Sequence, residues 1–283
     1  MKRTIVIFAI MLAAALAVSC GEKPLERVVL LASTIGPVES GVVDALENAF
    51  EKETGIRVRH AGAGTGATIE MAKKGGIDIV LVHAKKLEEE FVKDGYGTGR
   101  MSLMYNDFII VGPESDPAKI KGTAKAADAL RAIAASQSKF VTRGDKSGTH
   151  IAELALWEKA GLKPAGDWYE TYEKGAEGNS STLKYTDSKD AYTVIDRATW
   201  LALKKTLKIR LLVEKDEALL NYITIIPVNP DKVKGVYAEG AMKFAEWLTD
   251  PAKGQKIIQE FGKDKYGEPL FFPNSEKFKK GAK

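Results

Sequence analysis

The stretch TRGDKSGTH (142–150) gathers residue types suited to holding an anion. Arg143 closes an apolar run, and its guanidinium is a permanent cation whose planar fork matches an oxyanion. Ser147, Gly148 and Thr149 stand just ahead of a run with helical spacing. At such a start two hydroxyls and the free backbone N–H groups of the first turn converge. A plainer reading pairs Asp145 with Arg143 and makes Ser147 a helix cap. A third makes Ser147 and His150 a nucleophile and its base, but no orienting carboxylate and no nucleophile-elbow glycine pattern accompanies them. The donor-rich composition favours the anion.

A second hydroxyl-rich turn lies at ASTIG (32–36), where Ser33 and Thr34 follow an apolar run and precede a helical pattern. Taken alone it reads as an N-cap, and as an anion site only if a partner segment supplies further donors. A third segment, GAGTGAT (62–68), places Thr65 between Gly64 and Gly66. Its spacing is not that of a dinucleotide loop, and no G-K-[ST] follows. It is either a tight turn or a turn that lets backbone N–H groups approach a ligand. ASTIG, GAGTGAT and KSGTH contain no acidic residue. A site built only of donors suits a dianion that has no proton to give, whereas a protonated phosphate asks for an acceptor, for which Asp145 is the nearest candidate. The three histidines, His60, His83 and His150, lie far apart, and one cysteine adds nothing, so no spacing suggests a metal set or a metal cofactor.

The elements that must position these residues alternate. RVVLLA (27–32), IRVRHAG (56–62) and IDIVLVHA (77–84) read as strands, each followed by a helical pattern, which predicts an α/β domain with a mainly parallel sheet. Ligands of such sheets bind beyond the carboxyl ends of the strands, where Ser33–Gly36, Gly64–Gly66 and His83–Ala84 arrive. RMSLMYNDFIIVGP and LLNYITIIPVNP break the rhythm as long extended stretches. They predict two crossovers between two α/β lobes, one made of 27–110 and 228–283 and the other of 111–227, joined by a two-strand hinge with a cleft between them. Residues 1–19 read as a signal peptide, with Lys2 and Arg3 before an apolar run short of the ~20 residues a membrane span needs. Cys20, the sole cysteine, cannot form a disulfide within the chain. The formal net charge of +4 falls to +2 without the leader, which does not indicate a nucleic-acid partner.

The runs GAGTGA, DIVLVHA, GYGTGRMSLMYNDFIIVGPESDPA, FVTRGDKSGTH, AYTVIDRATWLA and FGKDKYGEPLFFP make the chain resemble the periplasmic tungstate-binding proteins of bacterial tungstate ABC transporters, over most of residues 27–273. The resemblance implies a two-lobed periplasmic-binding-protein-like fold, no catalysis, tungstate or molybdate as ligand, and delivery to a membrane permease from the periplasm by a monomer. Phosphate, sulfate or another small oxyanion is the alternative ligand, and a sensor for the same anion or a secreted hydrolase the alternative role. Cys20 followed by Gly21 resembles a lipobox, with Ala17 where Leu is usual, and implies a lipid anchor as the sole membrane attachment. The matching positions are Arg143, Ser147, Gly148 and Thr149. Ser33-Thr34-Ile35-Gly36 stands where the family has a Thr-Thr-Thr-Ser run, so Ser33 and Thr34 keep two of four hydroxyls and serve as cap and donor together. NSSTL (179–183) aligns with a glycine-rich helix start and brings Ser181 towards the site.

Overall fold

The computed structural model describes residues 28–281, so the leader and Cys20 lie outside the described residues. Strand β1 (Val29–Thr34) lies between β2 (Val58–Ala63) and β3 (Ile79–Val82), parallel to both. The four residues of β3 are all buried, as expected of a strand covered on both faces. Helices α1 (Ile35–Ser40), α2 (Val42–Thr54), α3 (Thr65–Lys74) and α4 (Lys85–Lys93) fill the connections.

The long extended stretches form β4 (Met101–Gly112) and β9 (Leu220–Pro227), which pair with each other antiparallel. β9 also pairs antiparallel with β3, so the sheet is mixed at this point. The first part of β4, Met101–Asp107, pairs with β9. The remainder, from Phe108, pairs with β7 (Thr193–Asp196) and β8 (Arg210–Val213). A single 12-residue strand thus runs through two environments. Between β4 and β9 the chain adds α5 (Ala126–Ala135), the parallel pair β5 (Phe140–Thr142) and β6 (Tyr169–Thr171), α6 (Gly148–Lys159), α7 (Asn179–Ser188) and α8 (Arg197–Leu203). β6 and β8 lie outside the strands that the sequence pattern predicts.

After β9, α9 (Ala238–Thr249) and α10 (Gly254–Glu260) return to the first sheet, and β10 (Phe272–Pro273) adds to β4. Phe244 and Trp247 of α9 pack on Phe50 of α2 with ring centroids 4.9 and 5.6 Å apart. A separate core of Ile110, Leu130, Ile133, Phe140, Trp157 and Tyr192 fills the segment between the long strands.

One local expectation needs correcting. The hydroxyls at 33 and 34 do not lie in a cap preceding the long helix. The strand continues through Thr34, and a separate six-residue helix, α1, follows at once. Gly41, at φ +82°, breaks it from α2, a left-handed conformation that glycine adopts without penalty.

Candidate anion site

The in-register pairing of Thr34 with Ala63, and of Ser33 with Leu81, sets the carboxyl ends of β1, β2 and β3 side by side. Thr34 is buried at that edge and is the N-cap residue of α1, yet its side chain makes no capping bond, and its Oγ1 has no partner. The Ser33 hydroxyl instead donates to the Thr34 carbonyl at 3.1 Å. The capping role expected of both residues is therefore absent: a strand-end side chain alternates into the sheet face and does not turn onto the helix. Thr65 opens α3 after Gly64, and its Oγ1 is likewise buried without a partner.

Arg143 follows β5 directly. Its Nη2 donates to Asp145 Oδ2 at 2.6 Å and to the Gly175 carbonyl at 3.1 Å, and its Nη1 donates to Asn179 Oδ1. Gly175 admits no side chain, since a Cβ there would lie 1.9 Å from the Arg143 carbonyl oxygen. Arg143 Nε is buried and unpartnered. Among the described residues, the buried side-chain polar atoms without a hydrogen bond are Thr34 Oγ1, Thr65 Oγ1 and Arg143 Nε. All three belong to the three segments singled out by sequence. A buried donor left unmade costs roughly 1–3 kcal/mol, so native structures rarely keep one without a reason.

Ser147 caps α6 as the plainer reading expects, accepting from the His150 N–H at 3.4 Å, while Asp145 Oδ1 accepts from the Ser147 N–H at 3.1 Å. Burial tends to raise the Asp145 carboxyl, but the Ser147 hydrogen bonds and the Arg143 charge outweigh it and hold the group below its usual range. His150 Nδ1 accepts from the Lys146 N–H at 2.9 Å. Ser147 and His150 together thus close a helix start. Gly148 begins α6, and Thr149 beside it is buried.

His83 lies just beyond β3, at the sheet edge where the strand pattern predicts it. Its ring packs on Gly148, with Cε1 3.5 Å from where a Cβ on that glycine would stand. This contact brings the β1–β2–β3 edge to the start of α6. Burial holds the His83 imidazole below its ordinary pKa, outweighing an opposing influence from nearby Asn221. Ser181 stands apart from the unpartnered atoms: its hydroxyl is engaged by Tyr172 and Glu177 at 2.8 and 2.9 Å. Asn179, two residues earlier, is the member of that stretch that reaches Arg143. Its polar side chain at a helix start was a visible signal, but its partner 36 residues away was not.

Sequence spacing shows no metal set, yet among the described residues Asp44, Glu47 and His60 bring ligand atoms within 4.8 Å of one another. They lie on α2 and β2, and Glu47 and His60 already pair at 3.1 Å.

The loop bearing Arg143 is braced from behind. Glu153 of α6, 2% exposed, accepts from Thr142 at 2.6 Å, Trp157 at 3.0 Å and Tyr169 at 2.7 Å. Burial pushes its carboxyl up to about 7, from an ordinary 4.5. Between those values the folded chain binds more protons than the unfolded chain. The stabilisation from this group is therefore complete below pH 4.5 and lost as pH rises through 7, a change of about 3 kcal/mol. Glu153→Gln keeps the shape and can donate to Thr142 without titrating. Urea midpoints taken from pH 5 to 8 should fall for the wild type and stay level for this variant. Parallel curves would remove the burial account.

The PBP superfamily domain model matches residues 21–252. The chain is 45% identical over 251 residues to the tungstate-binding protein TupA of Peptoclostridium acidaminophilum, covering 88% of this chain and 86% of that protein. Among solved structures it is similar to the tungstate-binding protein TupA of Desulfovibrio alaskensis, with TM-score 0.81 and 38% identity over 88% of this chain and all of that one. It is also similar to the structure described as the tungstate ABC transporter from Geobacter sulfurreducens, with TM-score 0.71 and 38% identity over 83% of this chain and 99% of that one.

Proposed function

The chain belongs to the PBP superfamily, among its tungstate-binding proteins, and from that premise we propose that it captures tungstate, and molybdate with it, outside the cytoplasm and delivers the anion to an ABC transporter permease. The observation that carries the reading is the set of unpartnered buried atoms Thr34 Oγ1, Thr65 Oγ1 and Arg143 Nε. All three can donate, and an acceptor-only tetrahedral dianion would satisfy them together. The start of α6, with Ser147, Gly148 and Thr149, adds backbone N–H groups and the positive end of a helix dipole. Ser33 and Ser181 are supporting residues in this reading, since their hydroxyls already have partners.

The ligand needs no metal or organic cofactor, and the protein binds it without turning it over. In this reading one lobe comprises 27–110 and 228–283 and the other 111–227; the change of partner along β4 between Asp107 and Phe108 favours two units, although β9 itself pairs with β3 in the first sheet. Among the described residues no helix is long and apolar enough to cross a membrane. The leader at 1–19 and a lipid on Cys20 would place a monomer on the outer face of the membrane.

Calorimetric titration of chelator-treated protein with tungstate, molybdate, sulfate and phosphate tests the reading. Tungstate and molybdate should bind. Phosphate should bind poorly near pH 7, where it is partly protonated, because both oxygens of Asp145 already accept hydrogen bonds. Binding that vanished on chelation and returned with a divalent cation would sink the proposal. Thr34→Val and Thr65→Val should each weaken tungstate binding by about two- to tenfold, the range of a neutral hydrogen bond. Unchanged affinity in both would move the first-lobe contacts elsewhere.

A further inference from the structure

Arg143 is gripped by three acceptors, and only Asp145 lies on its own loop. Asn179 comes from the first position of α7, set there by Gly178 at φ +105°, a backbone conformation open in practice to glycine. Asn179 is itself held from behind, its Nδ2 donating to Asp196 Oδ2 at 2.6 Å. Asp196 is fixed in turn as the cap of α8, accepting from the Thr199 N–H at 2.8 Å and the Thr199 hydroxyl at 2.6 Å. The chain of bonds runs in one direction, and its polarity settles the amide orientation. The reverse orientation would set an NH2 against a guanidinium and a carbonyl oxygen against a carboxylate.

We propose that Asn179 is a positioning residue for the bound anion: a neutral acceptor that clamps the Nη1 end of Arg143, leaving Nε turned to the ligand and adding no second negative charge beside the guanidinium. This rests on the oxyanion reading above. The charge count explains why an amide serves here. Arg143 already pairs with one carboxylate, Asp145, at 2.6 Å. A second carboxylate in direct contact would make the cluster net negative where a dianion has to enter. The amide supplies direction without charge and keeps the carboxylate of Asp196 one side chain further back.

Three variants test this by tungstate calorimetry together with thermal melting. Asn179→Ala should weaken binding by about tenfold or more, as expected when a charge-assisted hydrogen bond that orients the ligand's partner is lost. Asn179→Asp should weaken it at least as much, because it sets one carboxylate against Asp196 and another beside Arg143. The double variant Asn179→Asp with Asp196→Asn keeps the overall charge and rebuilds an unbroken donor–acceptor chain, with the new amide still able to cap α8. Its melting temperature should return close to that of the wild type while its affinity stays about tenfold or more below. Recovery of both would overturn the proposal and make Asn179 a structural link only. Binding by Asn179→Ala within twofold of the wild type would overturn it as well. Wild-type protein that bound no oxyanion would overturn the parent reading, and this one with it, before any variant was compared.

Discussion

Replacing Arg143 with alanine should weaken tungstate binding by tenfold to more than a hundredfold. A hydrogen bond from a charged donor contributes roughly 1.5–3 kcal/mol net, and each 1.4 kcal/mol is about tenfold in affinity. Arg143 Nε is the one permanent cationic donor among the unpartnered buried atoms of the described residues. Its removal would also leave Asp145 unneutralised close to the incoming anion, which adds to the loss. Lysine should restore only part. The planar fork is valuable here for an unexpected reason: its Nη atoms are engaged by Asp145, Asn179 and the Gly175 carbonyl. A single ammonium cannot reach all three acceptors and present a donor to the ligand as well. The competing outcome is clear-cut. If Arg143 only braces its loop, alanine would lower the melting temperature of the ligand-free protein and leave the tungstate Kd within about twofold. That result would remove the second-lobe half of the proposed site.

The second large effect should be on stability. Asp107→Ala should destabilise the protein by about 3–5 kcal/mol, the loss typical when one member of a buried ion pair is removed. Asp107 is 4% exposed and accepts from Arg197 Nε at 2.8 and 3.0 Å and from Nη2 at 2.6 Å. Arg197, 8% exposed, has Glu214 at 2.8 Å as its other close partner. The pair sits where β4 changes partners. Asp107 is the last residue opposite β9, and Phe108 the first opposite β7, whose final residue immediately precedes Arg197. Alanine would leave a guanidinium buried there with only Glu214 and the more distant Glu268, at 3.6 Å, to neutralise it. Urea unfolding measures the effect, and a loss under about 1 kcal/mol would show that Glu214 and water suffice. Asp107→Leu combined with Arg197→Met should recover most of the stability, since an apolar pair avoids the desolvation of both charges.

Much of this was legible in the amino-acid sequence, and the illegible part has a physical pattern. The alternation of buried strands with amphipathic helices made β1 to α4 readable, because period and burial are local properties. The paired long strands were readable because 12 residues without a break cannot be a turn. Arg143 and Ser147 stood out because their neighbours in sequence are also their neighbours in space. Thr34 stands at the sheet edge, as the strand pattern predicts, but not as a side-chain cap. A hydroxyl next to a helical pattern suggests a cap, and only the folded geometry shows that Thr34 Oγ1 makes no capping bond and stays unpartnered. Asn179, His83 and the Glu47–His60 pair were hidden because their partners are brought by crossovers, and sequence distance says nothing of those. Ser181 shows a converse case. It has the right residue type in the right segment, but helical geometry turns it towards Tyr172 and leaves Asn179 to face the arginine.

The insertion of one segment between β4 and β9 has a consequence for how the chain is made. A ribosome releases β1, β2 and β3 early, yet the layer that covers α2 is encoded near the end of the message. Trp247 donates to Glu53 across 194 residues, and Phe50 waits equally long for Phe244 and Trp247. The half begun first is therefore finished last, while the intervening segment can assemble its own core in the meantime. Until α9 emerges, the nascent amino-terminal half cannot bury Phe50, and its sheet lacks β9 on the open side of β3. The leading portion of the polypeptide therefore lacks its covering layer through most of its synthesis.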